Sequence, residues 1–124
     1  MTAAELVARA EAAAARAYAP YSSYHVGATV VTKDGRAYDG VNVENAAYPL
    51  TICAEKAAIA NAAGAGVRPG GIEAIGVTAS PCGGCRQWLH EWRVGRVCFR
   101  REDGTIAECA PADLLPEAWN LPEP

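Results

Sequence analysis

Pro81-Cys82-Gly83-Gly84-Cys85 sets two thiols three residues apart. Across the first turn of a helix, that spacing lets both sulfurs point at one ion. Zinc held by thiolates is four-coordinate and tetrahedral, so a pair from one turn needs at least one more ligand from elsewhere. Cys53 is the natural third, because it stands immediately before an alanine-rich run that reads as a second helix. All three sulfurs then sit where helix dipoles and unpaired amides favour negative charge and lower thiol pKa values. Three protein ligands leave one corner for water, which a catalytic zinc makes acidic enough to furnish hydroxide near neutral pH. Glu55 lies two residues beyond Cys53, placed to act as general acid and base on that water without binding the ion. A Cys-x-x-Cys pair alone also fits a structural zinc or a redox motif.

The elements that must position these groups are readable from pattern. Thr2 followed by Glu5 is a capping box, and Leu6, Ala10, Ala13 and Ala17 recur at helical spacing, so a helix is expected over 3–17. Val26 to Thr32 reads as a strand rich in β-branched residues. Asp34-Gly35 marks a hairpin, which returns Arg36 to Val43 antiparallel to it. After a loop through Tyr48 and Pro49, Ala54 to Ala63 forms a helix closed by Gly64. Ile72 to Thr78 is a buried strand. Ser80-Pro81 is a helix entry with Ser at the cap, opening a helix from Cys82 to Trp92. Val97 to Arg100 and Thr105 to Glu108 are short strands around Glu102-Asp103-Gly104, and Ala112 to Leu115 makes a final helical turn. Strands alternating with helices give a three-layer α/β domain over 1–124: a mixed sheet of about five strands with helices on both faces.

Composition narrows the function classes. The chain has 124 residues, 51% hydrophobic and 20% charged, as in an ordinary globular domain. Glu5 stands where a secretory signal would carry basic residues, and no apolar run approaches the length of a membrane span, so a cytoplasmic protein is expected. Five cysteines in a reducing compartment suit metal ligands, catalytic groups or core positions better than disulfides. A net charge of −3, with 11 scattered basic residues, disfavours tight binding to long nucleic acid and favours a small substrate.

Cys53-Ala54-Glu55 followed by Pro81-Cys82-Gly83-Gly84-Cys85 resembles the zinc signature of cytidine deaminases. The likeness extends to Pro20-Tyr21-Ser22-Ser23-Tyr24, Val26-Gly27-Ala28, Asn42-Val43-Glu44-Asn45-Ala46, Cys85-Arg86-Gln87 and Leu114-Leu115-Pro116, segments similar to those of the small, homotetrameric members. The resemblance implies one Zn²⁺ per subunit and hydrolytic deamination of cytidine and deoxycytidine to the uracil nucleosides and ammonia, as in pyrimidine salvage. It makes Glu55 the group that moves protons between the attacking water, N3 of the ring and the departing nitrogen. It assigns Asn42 and Glu44 to the ribose 3′-hydroxyl and the Ala54 N–H to the base carbonyl. Tyr24 lines the base pocket where the family usually has Phe. Tyr48, together with Trp119 in place of the usual Phe, reaches the pocket of a neighbouring subunit, so that active sites are shared. Lys56 stands where Arg is common. It keeps the charge that offsets three thiolates but loses the planar fork.

Other readings remain open at this stage. A deaminase of a nucleoside antibiotic of the blasticidin type shares the zinc signature, an editing enzyme would need a positive groove for single strands, and a zinc-stabilised binding module would not need Glu55. Cys98 reads as a small core residue, and Cys109 has no assignment. His25 and His90 read as structural or surface residues, and Trp88 and Trp92, four apart on one helix face, as core or a subunit contact.

Overall fold

The sheet order is β2-β1-β3-β4-β5. In the computed structural model, which describes residues 1–122, the strands are β1 (Gly27–Thr32), β2 (Ala37–Val41), β3 (Ile72–Val77), β4 (Arg96–Arg100) and β5 (Ile106–Cys109). The helices are α1 (Ala3–Ala14), α2 (Ala54–Gly64), α3 (Gly83–Glu91) and the short α4 (Pro111–Leu114). β1 pairs antiparallel with both β2 and β3, β3 runs parallel to β4, and β5 returns antiparallel to β4. The sheet is therefore mixed, as the element pattern predicts.

Alternation along the strands sorts the core into two layers. Val31, Ala74 and Cys98 face α1 and pack on Leu6 and Val7. Val30, Ile75, Val77, Val97 and Phe99 face the other way and join Ala58, Ile59 and Ala62 of α2 with Leu89 of α3. α1 thus covers one face and α2 with α3 the other. Cys98 is fully buried, in keeping with a core role, and Cys109 packs half-buried against the second layer.

Local chemistry accounts for most element ends. Thr2 caps α1, its hydroxyl accepting from the Glu5 amide at 3.1 Å and donating to the Glu5 carboxylate at 3.1 Å, so the expected capping box is only half formed: the carboxylate bonds the hydroxyl rather than the Thr2 amide. At the β1–β2 hairpin Gly35 takes φ +88°, which a side-chain-bearing residue rarely adopts.

Two expected boundaries are corrected. α1 ends at Ala14, not near residue 17, because Tyr18 must be extended: its N–H donates to Asn42 O at 3.0 Å and its carbonyl accepts from Glu44 N at 2.9 Å. Ser80 is not the cap of α3. Its hydroxyl accepts from Arg86, and Cys82 becomes the N-cap residue.

Two contacts between layers set the position of α2 and α1. A Cβ at Gly40 would lie 2.2 Å from the Ala58 backbone nitrogen, so α2 rests directly on β2. Asp39 accepts from Thr29 at 2.7 Å and from Arg9 at 3.1 Å, with Arg16 at 3.6 Å, tying β2 to α1. Burial acts to raise the Asp39 carboxyl, but the Thr29 and Arg9 hydrogen bonds and both guanidinium charges outweigh it and hold the group below its ordinary value.

Gly40→Ala should cost about 1–3 kcal/mol in urea unfolding through backbone displacement between β2 and α2. Asp39→Asn should destabilise by about 1 kcal/mol at neutral pH. A depressed carboxylate stabilises the fold above the ordinary aspartate value of about 4, and that contribution is lost as pH falls through the lower folded value. The difference in melting temperature between Asp39→Asn and wild type should accordingly shrink below about pH 4.

Candidate metal centre and adjoining cavity

β2 and β3 run in the same direction because each is antiparallel to β1. α2 follows β2 and α3 follows β3, so both helices begin at the same end of the sheet. Cys53 is the N-cap residue of α2 and Cys82 that of α3, with Cys85 in the first turn of α3. In this way residues 29 positions apart in sequence meet, and the Cys53 and Cys82 sulfurs lie 3.7 Å from each other.

All three sulfurs lie within 4.8 Å of one another. A tetrahedral ion with Zn–S near 2.3 Å holds its sulfurs about 3.8 Å apart, so the trio fits zinc with little adjustment. Its electrostatics also call for a cation. Burial pushes the Cys85 thiol far up, reinforced by the Glu55 carboxylate and the neighbouring thiols. Cys53 is raised by burial and by Cys82. Burial also acts to raise Cys82, but hydrogen bonds from the Cys85 backbone and from the Cys85 and Cys53 thiols outweigh it and bring it below the ordinary value. Three sulfurs and a buried carboxylate in one place are compatible with ionised ligands once a divalent ion shares their field.

Glu55 is only 4% exposed, and burial raises its carboxyl against the opposing pull of its own backbone amide, the Cys85 thiol and Lys56. A carboxyl tuned upward beside a metal centre is suited to taking and returning a proton near neutral pH. Lys56 is half-buried, and its Nζ lies 3.5 Å from where a Cβ on Gly84 would stand, so its charge hangs over the Cys-Gly-Gly-Cys turn.

A cavity of about 260 Å³ opens beside the centre. It gathers Cys53, Ala54, Glu55 and Cys82 with Tyr24, Asn42, Glu44 and Tyr48. Asn42 accepts from Val26 N at 2.8 Å and donates to Tyr24 O at 2.8 Å. Glu44 accepts from the Tyr21 and Ser22 amides at 2.9 and 3.0 Å, and from the Ser22 hydroxyl. The Ser22 hydroxyl, helped by the two amides, outweighs burial and holds the Glu44 carboxyl below its ordinary value. Both side chains therefore also pin the segment that carries Tyr24.

Within its own chain Tyr48 borders the cavity, and Trp119 lies away from it, against α3 beside Gln87, Trp88 and Trp92. Ser22, Thr51, Ala79 and Ser80 line the cavity without having been singled out by sequence. Ser22 carried a signal only through its place in the Tyr-Ser-Ser-Tyr segment, and the others show none. His25 is exposed, and His90 contacts Asn120 Oδ1 at 2.7 Å, so neither joins the sulfurs.

The chain matches the family model described as cytidine and deoxycytidylate deaminase zinc-binding region over residues 1–101. A cytidine deaminase of Sporosarcina psychrophila is 40% identical over 124 aligned positions, covering 94% of this chain and 90% of that protein. The cytidine deaminase of Mycobacterium tuberculosis H37Rv is 39% identical, covering 88% and 83% of the two. Among solved structures, the crystal structure of cytidine deaminase from Burkholderia pseudomallei superposes with a TM-score of 0.89 at 42% identity, covering 96% of this chain and all of that one.

Lys56→Ala should weaken zinc binding about tenfold in competition with a chromophoric chelator, since it removes a cation that lies over the turn. Unchanged affinity would exclude Lys56 from charge compensation. Sulfur geometry, the buried carboxylate beside it and kinship over most of the chain agree, and the protein belongs to the cytidine and deoxycytidylate deaminase zinc-binding family.

Proposed function

We propose that this chain is a zinc-dependent cytidine deaminase, converting cytidine and deoxycytidine to the corresponding uracil nucleosides and ammonia. The observation that carries the reading is the placement of the buried Glu55 carboxylate in one cavity with Cys53, Cys82 and the pair Asn42 and Glu44. Bound zinc supplies an activated water at its fourth position. Glu55 takes the water's proton, delivers it to N3 of the ring, and assists the nitrogen leaving from C4. The Ala54 N–H, at the unpaired start of α2, is free to donate to the base carbonyl. Asn42 and Glu44 each retain hydrogen-bonding capacity beyond the bonds they already make, enough for a sugar hydroxyl. Tyr24 closes the side of the cavity against the base. An ordinary ribose suits that polar pair better than the bulkier sugar of a nucleoside antibiotic.

The chain is further proposed to work in the cytoplasm as a homotetramer, with Tyr48 and Trp119 completing the pocket of a neighbour. Support comes from the surface around the cavity mouth. Tyr18 bridges Val43, which bridges Ile52, setting three exposed apolar side chains in a row beside Leu50 and Tyr48. A patch of that kind on a globular domain marks an interaction surface. Trp119, 65% exposed, extends the apolar surface along α3. No helix among the described residues is long and apolar enough to cross a membrane.

Glu55→Gln should keep its zinc and its fold while losing about 10²–10⁴ in kcat for cytidine, followed by ultraviolet absorbance. Full turnover by that variant, or turnover by wild type of blasticidin or an oligonucleotide but not of cytidine, would overturn the proposal. Sedimentation of wild type should return four chain masses, and a monomer at assay concentration that still turns over cytidine would remove the shared-site part.

A further inference from the structure

Cys82 is the most exposed of the three sulfur ligands and the least fixed by its own sequence, since Gly83 and Gly84 follow it. Glycine imposes the fewest conformational restrictions on a backbone, so this turn requires an external brace. Arg86 supplies one. Its Nε donates to Pro81 O at 2.9 Å, and its Nη2 donates to the Ser80 hydroxyl at 3.1 Å. Its peptide N–H donates to Cys82 O at 3.0 Å. The residues before Cys82 and the Cys82 carbonyl are thus both held by one residue. Nη1 reaches further, donating to Leu114 O at 3.0 Å at the end of α4.

Among the described residues Arg86 forms no ion pair, so the half-buried guanidinium spends its hydrogen bonds on neutral oxygens. Charge-assisted bonds in a planar fork are stronger and more directional than neutral ones, and lysine cannot reproduce their geometry. Gln87 and His90, farther along α3, contact Trp119 O at 3.1 Å and Asn120 Oδ1 at 2.7 Å, holding the C-terminal segment without touching the metal turn.

We infer that Arg86 is the positioning residue of the metal centre, bracing the Ser80–Cys82 segment against α4 so that the Cys82 sulfur is aimed at the ion. This rests on the three cysteines being ligands but not on the identity of the nucleoside. Residues that orient metal ligands without touching the metal commonly change metal affinity about 10–100-fold when removed.

The test uses full-length protein, with chelator-driven zinc release as one readout and the thiolate-to-cobalt and d–d absorption of the cobalt-substituted form as the other. Arg86→Ala should release zinc at least about tenfold faster and shift the cobalt bands, Arg86→Lys should fall between it and wild type, and Gln87→Ala should match wild type in both. Should Arg86→Ala fail to fold, Arg86→Lys decides. Wild-type release rates and cobalt bands in either folded Arg86 variant would overturn the inference, as would equal effects from Gln87→Ala. Absence of thiolate-to-cobalt bands in wild type would instead overturn the three-sulfur site itself.

Discussion

Three sulfurs drawn from the mouths of two helices can share one ion only if the strands feeding those helices run the same way. Here β1 lies between β2 and β3 and opposes both, so α2 and α3 start side by side. Everything chemical follows from that arrangement. Two N-termini bring their partial positive charge and unpaired amides to one spot, but burial outweighs them at Cys53 and Cys85, whose thiols are raised rather than lowered as the helix starts alone would suggest, so ionised ligands there need a cation. Glu55 enters the same spot because it is the second residue of α2, two positions after Cys53. The close seat of α2 on Gly40 then matters for the site as well as for the core, since moving the helix outward would move Cys53 and Glu55 together.

Local signals carried much of this into the sequence. The Cys-x-x-Cys spacing, the cysteine preceding an alanine-rich helix, the helix cap at Thr2 and the Asp34-Gly35 hairpin are each readable because their physical cause lies within a few residues. The places where sequence reading slips share the opposite property. An alanine run gives no local reason to stop α1 at Ala14; the reason is the peptide of Tyr18, which pairs with Asn42 and Glu44 far along the chain. Ser80 has the chemistry of a cap, but its hydroxyl is engaged by Arg86 and α3 begins later. Ser22 is one serine among several until Glu44 is seen folded back on it. Tertiary hydrogen bonds overrode propensity in the first two cases and gave Ser22 its place in the third.

Charge balance separates this site from a structural zinc knuckle. Three thiolates on a divalent ion leave excess negative charge, and a buried Glu55 adds to it. The Lys56 ammonium lies on one side, over Gly84. The fork of Arg86 gives its bonds to Pro81, Ser80 and Leu114 and none to a sulfur. The two basic residues are thus placed differently, a flexible ammonium over the turn and a planar guanidinium bonded to neutral oxygens beside it, in keeping with the different capacities of the two groups.

Asn42 and Glu44 show how the cavity is kept ready for a ligand. An amide side chain can make four hydrogen bonds, and Asn42 uses one donor and one acceptor on Tyr24 and Val26, leaving one of each. Glu44 gives one oxygen to two backbone amides and the other to the Ser22 hydroxyl, which still has a lone pair to offer. Their orientations are therefore fixed before anything binds, and a ligand need not order them, which is the main way a polar site gains affinity without new contacts. The same bonds hold residues 21–26 against the end of β2, so the wall bearing Tyr24 and the polar groups facing it move as one unit. A change at either position therefore alters the shape of the cavity and its hydrogen bonding at once.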